Sequence, residues 1–173
     1  MKVSGHRRRF ETPGQARFLT FSCYRRLPLF DNDRIKDAVV EQFRVAQTET
    51  KFETFAWVVM PEHIHLLIVP SLPTYPVGEV LRKIKEPLAR RVLKRWTELE
   101  APVLSRLTDP RGHRHFWQRG GGYDRNLFSE TQVREKADYI HANPVRRGLV
   151  ERAEQWRWSS MRFYAGRAEN ILD

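Results

Sequence analysis

The chain has 173 residues with a single cysteine, and its 31 Lys and Arg against 21 Asp and Glu give a formal charge of +10 at pH 7. This length favours one domain over residues 1–173, with a basic arm at 1–16 and an aromatic tail at 150–173. One cysteine excludes an intramolecular disulfide and a cysteine-based zinc cluster, and no apolar run is long enough to span a bilayer.

The positive charge predicts a polyanionic partner, and nucleic acid is the first candidate. A solvated basic surface without a ligand is the alternative. The first residues include Arg7, Arg8 and Arg9, which could hold phosphates or form a frayed, solvated end. Because the start has no apolar signal core, we expect a soluble, cytoplasmic protein without a membrane partner.

The first predicted elements are a strand and a helix. The segment Arg17–Tyr24 is rich in aromatic and apolar residues and predicts the first strand. Asp31 or Asn32 can cap a helix whose apolar residues recur at helical spacing. These residues are Ile35, Ala38, Val39, Phe43 and Ala46.

Two apolar runs, broken at Pro61, predict the second and third strands between residues 57 and 70. His63 and His65 occupy alternate positions of the third strand, so both side chains should point to one face, roughly 6 to 7 Å apart along the backbone. Ile64 should point to the opposite face, into the core. This spacing allows two imidazoles to bind one metal ion.

A long helix with one apolar and one basic side is predicted from Val77 to Trp96. Lys83 and Lys85 belong to the basic side, which could follow a phosphate backbone or form an ordinary solvated face. Pro87 should bend or interrupt this helix.

Periodicity fades from Thr97 to His115, which predicts a loop. His113 and His115 form a second His-x-His, but a charged residue separates them and the setting is a loop, so they are a poor ligand pair. Phe116–Arg119 is predicted as a fourth strand. The run Gly120–Gly122 should allow backbone conformations, or a close approach to a ligand, that other residues resist.

The last predicted helix begins with a capping box, in which Ser129 is the cap and Gln132 lies three residues on. It should end near Asn143, since the residue before Pro144 avoids helical geometry. Its core stripe is predicted to contain Val133, Ala137 and Ile140. Tyr139 and Asn143, four residues apart, should share the flank of this stripe, with Lys136 close by.

Two histidines and the carboxamide oxygen of Asn143 suit Mg²⁺ or Mn²⁺, with open positions for phosphate oxygens. The hydroxyl of Tyr139 could attack phosphorus and form a phosphotyrosine that a DNA hydroxyl later displaces. Lys136 is a candidate for assisting this tyrosine. Each residue also has an ordinary structural explanation, as a packing tyrosine, a helix-end asparagine or an incidental histidine pair.

Four segments of the sequence resemble the single-tyrosine HUH transposases, in particular the REP-associated tyrosine transposases. They are Val59-Met-Pro-Glu-His-Ile-His65, Phe116-Trp117, Tyr139-Ile-His-Ala-Asn-Pro-Val-Arg-Arg-Gly-Leu-Val150 and Trp158-Ser-Ser160. The resemblance extends from about Arg17 to Tyr164.

This resemblance implies an α+β, ferredoxin-like domain with a central antiparallel sheet and helices packed on one side. It implies that His63, His65 and Asn143 bind the metal, and that Tyr139 forms a 5′-phosphotyrosine and leaves a free 3′-OH. The implied substrate is single-stranded DNA with a hairpin at or near the cleavage site. Both monomers and homodimers occur among such proteins.

The basic residues offered as DNA contacts are Arg7, Arg8, Arg9, Lys83, Lys85, Arg119, Lys136, Arg146 and Arg147. Two other functions remain open on the sequence. One is a non-catalytic protein that binds hairpin DNA, and the other is a histidine-metal phosphodiesterase that activates water.

Overall fold

The computed structural model describes residues 12–72, 74–120 and 122–166. The predicted DNA contacts Arg7, Arg8 and Arg9, and most of the basic arm, lie outside these ranges. In chain order the elements are β1 (Ala16–Ser22), α1 (Asp33–Thr50), β2 (Glu53–Val59), β3 (His63–Val69), α2 (Val77–Glu98), α3 (Val103–Leu107), β4 (Tyr123–Leu127), α4 (Glu130–Arg146) and α5 (Met161–Tyr164).

The four strands form one antiparallel sheet in the order β2-β3-β1-β4. With α1 and α2 as the connections, the order along the chain is the β-α-β-β-α-β arrangement of ferredoxin-like folds. The predicted α+β class with a central antiparallel sheet is therefore confirmed. In the register of β1 with β3, Thr20 lies opposite His65 and Ser22 lies opposite His63.

Alternation along the strands divides the core between the two faces of the sheet. Ile64, Leu66 and Ile68 of β3 pack in the cluster that α1 and α2 cover, as predicted for Ile64. Leu67 packs in a second cluster on the other face, where α4 contributes Ile140. The prediction that the helices pack on one side therefore holds for α1 and α2, and it is wrong for α4, because the apolar stripe of α4 needs the second face of the sheet.

Pro87 was predicted to bend or interrupt α2. The helix continues through this residue, so the predicted interruption is wrong. Proline has no N–H to give to the carbonyl four residues earlier, which belongs to Lys83. The side chain of Gln42 on α1 supplies the missing donor, with its Nε2 at 2.8 Å from this carbonyl oxygen. A tertiary contact thus satisfies the acceptor that the proline leaves open.

Pro144 also lies within its helix, since α4 continues to Arg146 rather than ending near Asn143. The side-chain Nδ2 of Asn143 donates to the backbone carbonyl of Tyr139 at 2.7 Å. This bond adds a donor in the helical turn from which Pro144 removes one. The predicted cap is present, with the Ser129 hydroxyl accepting from the N–H of Gln132 at 3.3 Å. The side chain of Gln132, however, accepts from the N–H of Phe128 rather than from the cap.

The fourth strand is Tyr123–Leu127, so the prediction of a strand at Phe116–Arg119 is wrong. In that earlier segment only Trp117 forms a bridge, with Cys23 beyond the end of β1. The strand begins directly after Gly122, where an added Cβ would collide with the backbone of Thr20 on β1. The φ angle of Gly122 is 71°, so the prediction of an unusual backbone conformation is confirmed here, and the close approach is to β1 of the same sheet. The predicted loop from Thr97 to His115 contains the short helix α3.

The chain after α4 packs beside β2. Ser159 bridges to Val58, and the Ser160 hydroxyl accepts from the N–H of Trp57 at 2.9 Å. His141 of α4 lies within hydrogen-bond distance of the same hydroxyl, at 2.8 Å from Nε2. Among the helices of the described ranges, none combines the length and apolar character that a bilayer crossing requires.

Candidate active site

The candidate site is built on the two histidines of β3. The pleat of the strand turns His63 and His65 to the α4 face, and each side chain is about 5% exposed. Their Nε2 atoms lie 3.0 Å apart, and the ring planes are 84° from parallel. Two nitrogens that ligate one ion through bonds of about 2.1 Å are separated by about 3.0 Å when the angle at the ion is 90°, as in octahedral coordination.

The other nitrogen of each ring has a partner. The Nδ1 atom of His65 is 2.8 Å from the hydroxyl oxygen of Thr20, and that of His63 is 3.0 Å from a carboxylate oxygen of Glu62. When both rings carry their proton on Nδ1, they donate to these oxygens and two Nε2 lone pairs face each other. A shared cation stabilises that arrangement, so the donor set fits a divalent metal.

Burial favours the neutral form of both rings. It lowers the pKa of His65 to about 3, with a further contribution from the neighbouring His63. Burial also lowers the pKa of His63, although the carboxylate of Glu62 acts in the opposite direction. Both rings are therefore neutral at pH 7, and neutral imidazole is the form that ligates metals.

Glu62 joins the histidine pair to two arginines. Its Oε1 accepts from Nη1 of Arg147 at 2.7 Å, and Nη2 of Arg26 lies 3.5 Å away. Burial alone would raise the pKa of Glu62, but the hydrogen bonds and charges of Arg147 and His63 outweigh burial and lower it. The carboxylate therefore remains ionised and can hold the Nδ1 proton of His63.

Helix α4 and the residue that caps its C-terminus supply the other half of the site, through three residues at four-residue spacing. Tyr139 lies beside His65, with ring centroids 5.5 Å apart, and Arg147 contacts Glu62 next to His63. Asn143 is buried and lies one turn from each of them on the same side of the helix. Its amide nitrogen is used by the carbonyl of Tyr139, so its oxygen is the atom suited to a metal.

Two cations flank the half-buried ring of Tyr139. The Nζ atom of Lys136 lies 5.2 Å from the ring centroid, and Cζ of Arg146 lies 5.4 Å from it. Phe18 meets the same ring edge-on at 6.0 Å and supports its orientation. Positive charge is thus concentrated where an anionic phosphate would meet the tyrosine.

The residues predicted as DNA contacts fall into two groups. Lys136, Arg146 and Arg147 lie at the site. The other three lie elsewhere: Lys83 pairs with Glu49 on α1 at 2.6 Å, Lys85 lies beside the ring of Trp117 at 5.6 Å, and Arg119 is largely exposed, 3.8 Å from Asp109.

Sequence reasoning missed Thr20, Glu62 and Arg26. Glu62 directly precedes the first histidine, and this position was a signal that could have been used. The contact of Thr20 depends on the pairing of β1 with β3, and that of Arg26 depends on the turn after β1. His115 of the second His-x-His pairs with Asp109 at 2.8 Å, and no group of three or more His, Cys, Asp or Glu able to hold a metal occurs in the described part of the chain.

The sequence profile of the family described as "Transposase IS200 like" matches residues 15–143. A Haemophilus influenzae protein provisionally named a REP-associated tyrosine transposase is 29% identical over 164 residues, which are 91% of this chain and 85% of that protein. The REP-associated tyrosine transposase of Escherichia coli K12 is 28% identical over 109 residues, 63% of this chain and 54% of that protein.

A solved structure of a REP-associated tyrosine transposase bound to a REP hairpin has a similar fold. The TM-score is 0.70 at 22% sequence identity, and the match covers 96% of this chain and 92% of the other. At this identity the likeness concerns the fold.

Proposed function

Because the chain belongs to the IS200-like transposase family, whose members are enzymes that act on DNA, we propose that it cleaves and rejoins single-stranded DNA through a covalent bond to Tyr139. One observation carries the proposal. The ring of Tyr139 lies 5.5 Å from the ring of His65, whose Nε2 faces that of His63 at 3.0 Å. A candidate nucleophile and a candidate metal site thus share one face of the sheet.

His63, His65 and the carboxamide oxygen of Asn143 are the residues that would hold a divalent metal, Mg²⁺ or Mn²⁺. When bound, such an ion supplies Lewis-acid polarisation of a phosphodiester. Glu62 favours the tautomer of His63 with its proton on Nδ1, and Thr20 holds the ring of His65 in place through its Nδ1 atom. Burial keeps both rings neutral at pH 7.

The proposed reaction is a transesterification at phosphorus. The Oη atom of Tyr139 loses its proton and forms a bond to phosphorus, while the bond from phosphorus to the 3′ oxygen breaks and that oxygen takes up a proton as a free 3′-OH. The strand remains attached as a 5′-phosphotyrosine. Attack by a DNA 3′-OH reverses these bond changes and releases the enzyme, so no water is consumed.

The proposed substrate carries a hairpin. The solved transposase of similar fold is bound to a REP hairpin, and this chain carries a formal charge of +10. Lys136 and Arg146 beside Tyr139, and Arg147 beside Glu62, would meet the backbone of the strand that enters the site.

The test is incubation with Mg²⁺ or Mn²⁺ and a labelled single-stranded hairpin from the DNA flanking its own gene. A covalent adduct that maps to Tyr139 by mass spectrometry is expected. Tyr139→Phe should abolish the adduct and cleavage, a loss of at least about a thousandfold, and should change hairpin affinity by less than about threefold. Tyr123→Phe is the matched control, since this half-exposed tyrosine contacts Phe18 near the site.

The two alternatives give different results. Cleavage without an adduct that persists in Tyr139→Phe would contradict the proposal in favour of a water-activating phosphodiesterase. Hairpin binding without cleavage, with both metals and several hairpins, would contradict it in favour of a non-catalytic binding protein.

A further inference from the structure

A groove of about 630 Å³ lies on the sheet face opposite Tyr139, between α2 and the segment 117–120. This volume lies within the range of about 300–1,000 Å³ found for small-molecule sites. One wall is the indole of Trp117. The core fixes its orientation through contacts with Phe21 and Phe30 at 5.4 and 5.6 Å, and its Nε1 donates to the carbonyl of Lys85 at 2.8 Å.

Most of the charged side chains that line the groove are cationic. Arg82, Lys85, Arg90 and Arg119 line it, with Glu86 as the carboxylate of the lining. Arg82 pairs with Glu79 at 2.6 Å and with Glu86 at 3.3 Å, so its charge is already shared between two carboxylates and the ligand would meet Lys85, Arg90 and Arg119. Arg90 is exposed and has no carboxylate partner among the described residues, so its guanidinium is available to a ligand.

The groove also begins near the candidate active site. The N–H of Gln118 donates to the carbonyl of Ser22 at 2.9 Å, and Ser22 lies opposite His63 in the sheet. A DNA strand that passes over this end of the β-sheet could therefore reach both the groove and Tyr139.

We propose that the groove binds an unpaired nucleotide of the DNA strand, with the base against Trp117 and the adjacent phosphates on Arg90 and Arg119. Aromatic side chains bind bases with little sequence preference, and guanidinium groups suit phosphate oxygens. The inference rests on the proposed function, because that function supplies a single-stranded substrate. It assigns a binding role to a surface on the face of the sheet opposite the reacting tyrosine.

Binding of two DNA probes tests the proposal by fluorescence anisotropy. One probe is a blunt-ended hairpin, and the other is the same hairpin with a six-nucleotide single-stranded extension at each end. The double variant Arg90→Ala with Arg119→Ala should weaken binding of the extended probe about tenfold and that of the blunt probe less than about twofold. The matched control is Arg91→Ala with Lys94→Ala, two exposed cations of the same helix that do not line the groove.

Since both double variants lose two positive charges, a difference between them isolates the groove from long-range electrostatics. Equal weakening of the extended probe by the two variants would overturn the proposal. Photo-crosslinking of an extension that carries 5-iododeoxyuridine gives a second measurement. Cross-links should map to Trp117, and cross-links confined to other residues would overturn the proposal.

The adduct on Tyr139 is measured with the same oligonucleotides, which separates this inference from the proposed function. An adduct on Tyr139 without cross-links in the groove would overturn only the proposal that the groove binds a nucleotide. Cross-links at Trp117 without an adduct on any strand would contradict the proposed function and support the groove as a DNA-binding surface.

Discussion

At the scale of single residues, Glu62 connects the histidine pair to the helix that carries the tyrosine. Its carboxylate contacts Nδ1 of His63 at 3.0 Å and Nη1 of Arg147 at 2.7 Å. A carboxylate that fixes the tautomer of a ligating histidine strengthens the metal site without touching the metal. The pKa of Glu62 is lowered because Arg147 and His63 outweigh the effect of burial, so this contact persists at neutral pH.

Glu62→Gln should therefore weaken Mn²⁺ binding about tenfold, because the neutral amide holds the Nδ1 proton of His63 less strongly. Isothermal titration calorimetry of the folded variant measures this change. Glu79→Gln, at a carboxylate on α2 bonded to Arg82, is the control and should leave the affinity unchanged. Equal affinities of the two variants would show that Glu62 does not orient a ligand.

Asn143 is tested by a pair of substitutions. Asn143→Ala should reduce Mn²⁺-dependent cleavage at least about tenfold while hairpin affinity changes less than about twofold, because the proposed metal ligand is lost. Asn143→Asp retains an oxygen at this position and should keep most of the metal dependence. Both variants lose the donor to the carbonyl of Tyr139, so the loss of this hydrogen bond cancels when the two are compared. Unchanged metal dependence in Asn143→Ala would remove this residue from the site.

At the scale of secondary-structure elements, α1 and α2 are joined by a hydrogen bond that a proline makes necessary. Pro87 cannot donate to the carbonyl of Lys83, and Gln42 does so instead at 2.8 Å. A backbone acceptor of α2 is therefore satisfied by the helix packed beside it. The groove described above lies on this same helix.

Gln42→Ala should lower the free energy of unfolding by about 1 kcal/mol, since it leaves the carbonyl of Lys83 without its partner. In a Pro87→Ala background the backbone N–H of residue 87 can take over, so the same substitution should cost less. Urea unfolding of the four proteins gives a coupling energy on the order of 1 kcal/mol. Additive effects would mean that the bond does not compensate for the proline.

At the scale of the whole molecule, acid should destabilise the fold through its buried histidines. His141 of α4 lies 2.8 Å from the Ser160 hydroxyl, which in turn accepts from the N–H of Trp57, so this contact joins α4, β2 and the C-terminal segment. Burial lowers the pKa of His141 to about 4 from its ordinary value of 6.5. Between these values the unfolded chain binds a proton that the folded protein excludes.

The stabilisation from neutral His141 is therefore complete above pH 6.5 and is lost as the pH falls toward about 4. At about 1.4 kcal/mol per pH unit, the loss is on the order of 3 kcal/mol. Urea unfolding at pH 7 and pH 4 should show a smaller difference for His141→Gln than for the unsubstituted protein. The depressed pKa values of His63 and His65 act in the same direction in both proteins, so an equal difference would contradict the role of His141.

The sequence by itself determined the local arrangements. Alternation in β3 placed His63 and His65 on one face, and four-residue spacing placed Tyr139 and Asn143 on one side of α4, because strand and helix periods fix which neighbours share a face. The charge and the motif resemblance also indicated the family that residues 15–143 match. Two predicted boundaries were wrong. Helix α4 continues past Pro144, and the fourth strand lies where it can pair with β1, because packing and strand pairing override local signals.

Only the tertiary structure decided which face of the sheet α4 covers, and with it the meeting of Tyr139 with the histidines. It also brought Thr20 to His65 and Arg147 to Glu62, contacts between residues 45 and 85 positions apart. Periodicity cannot reveal such contacts, since it describes each element relative to its own axis. Their partners are chosen by the burial of apolar faces on both sides of one sheet.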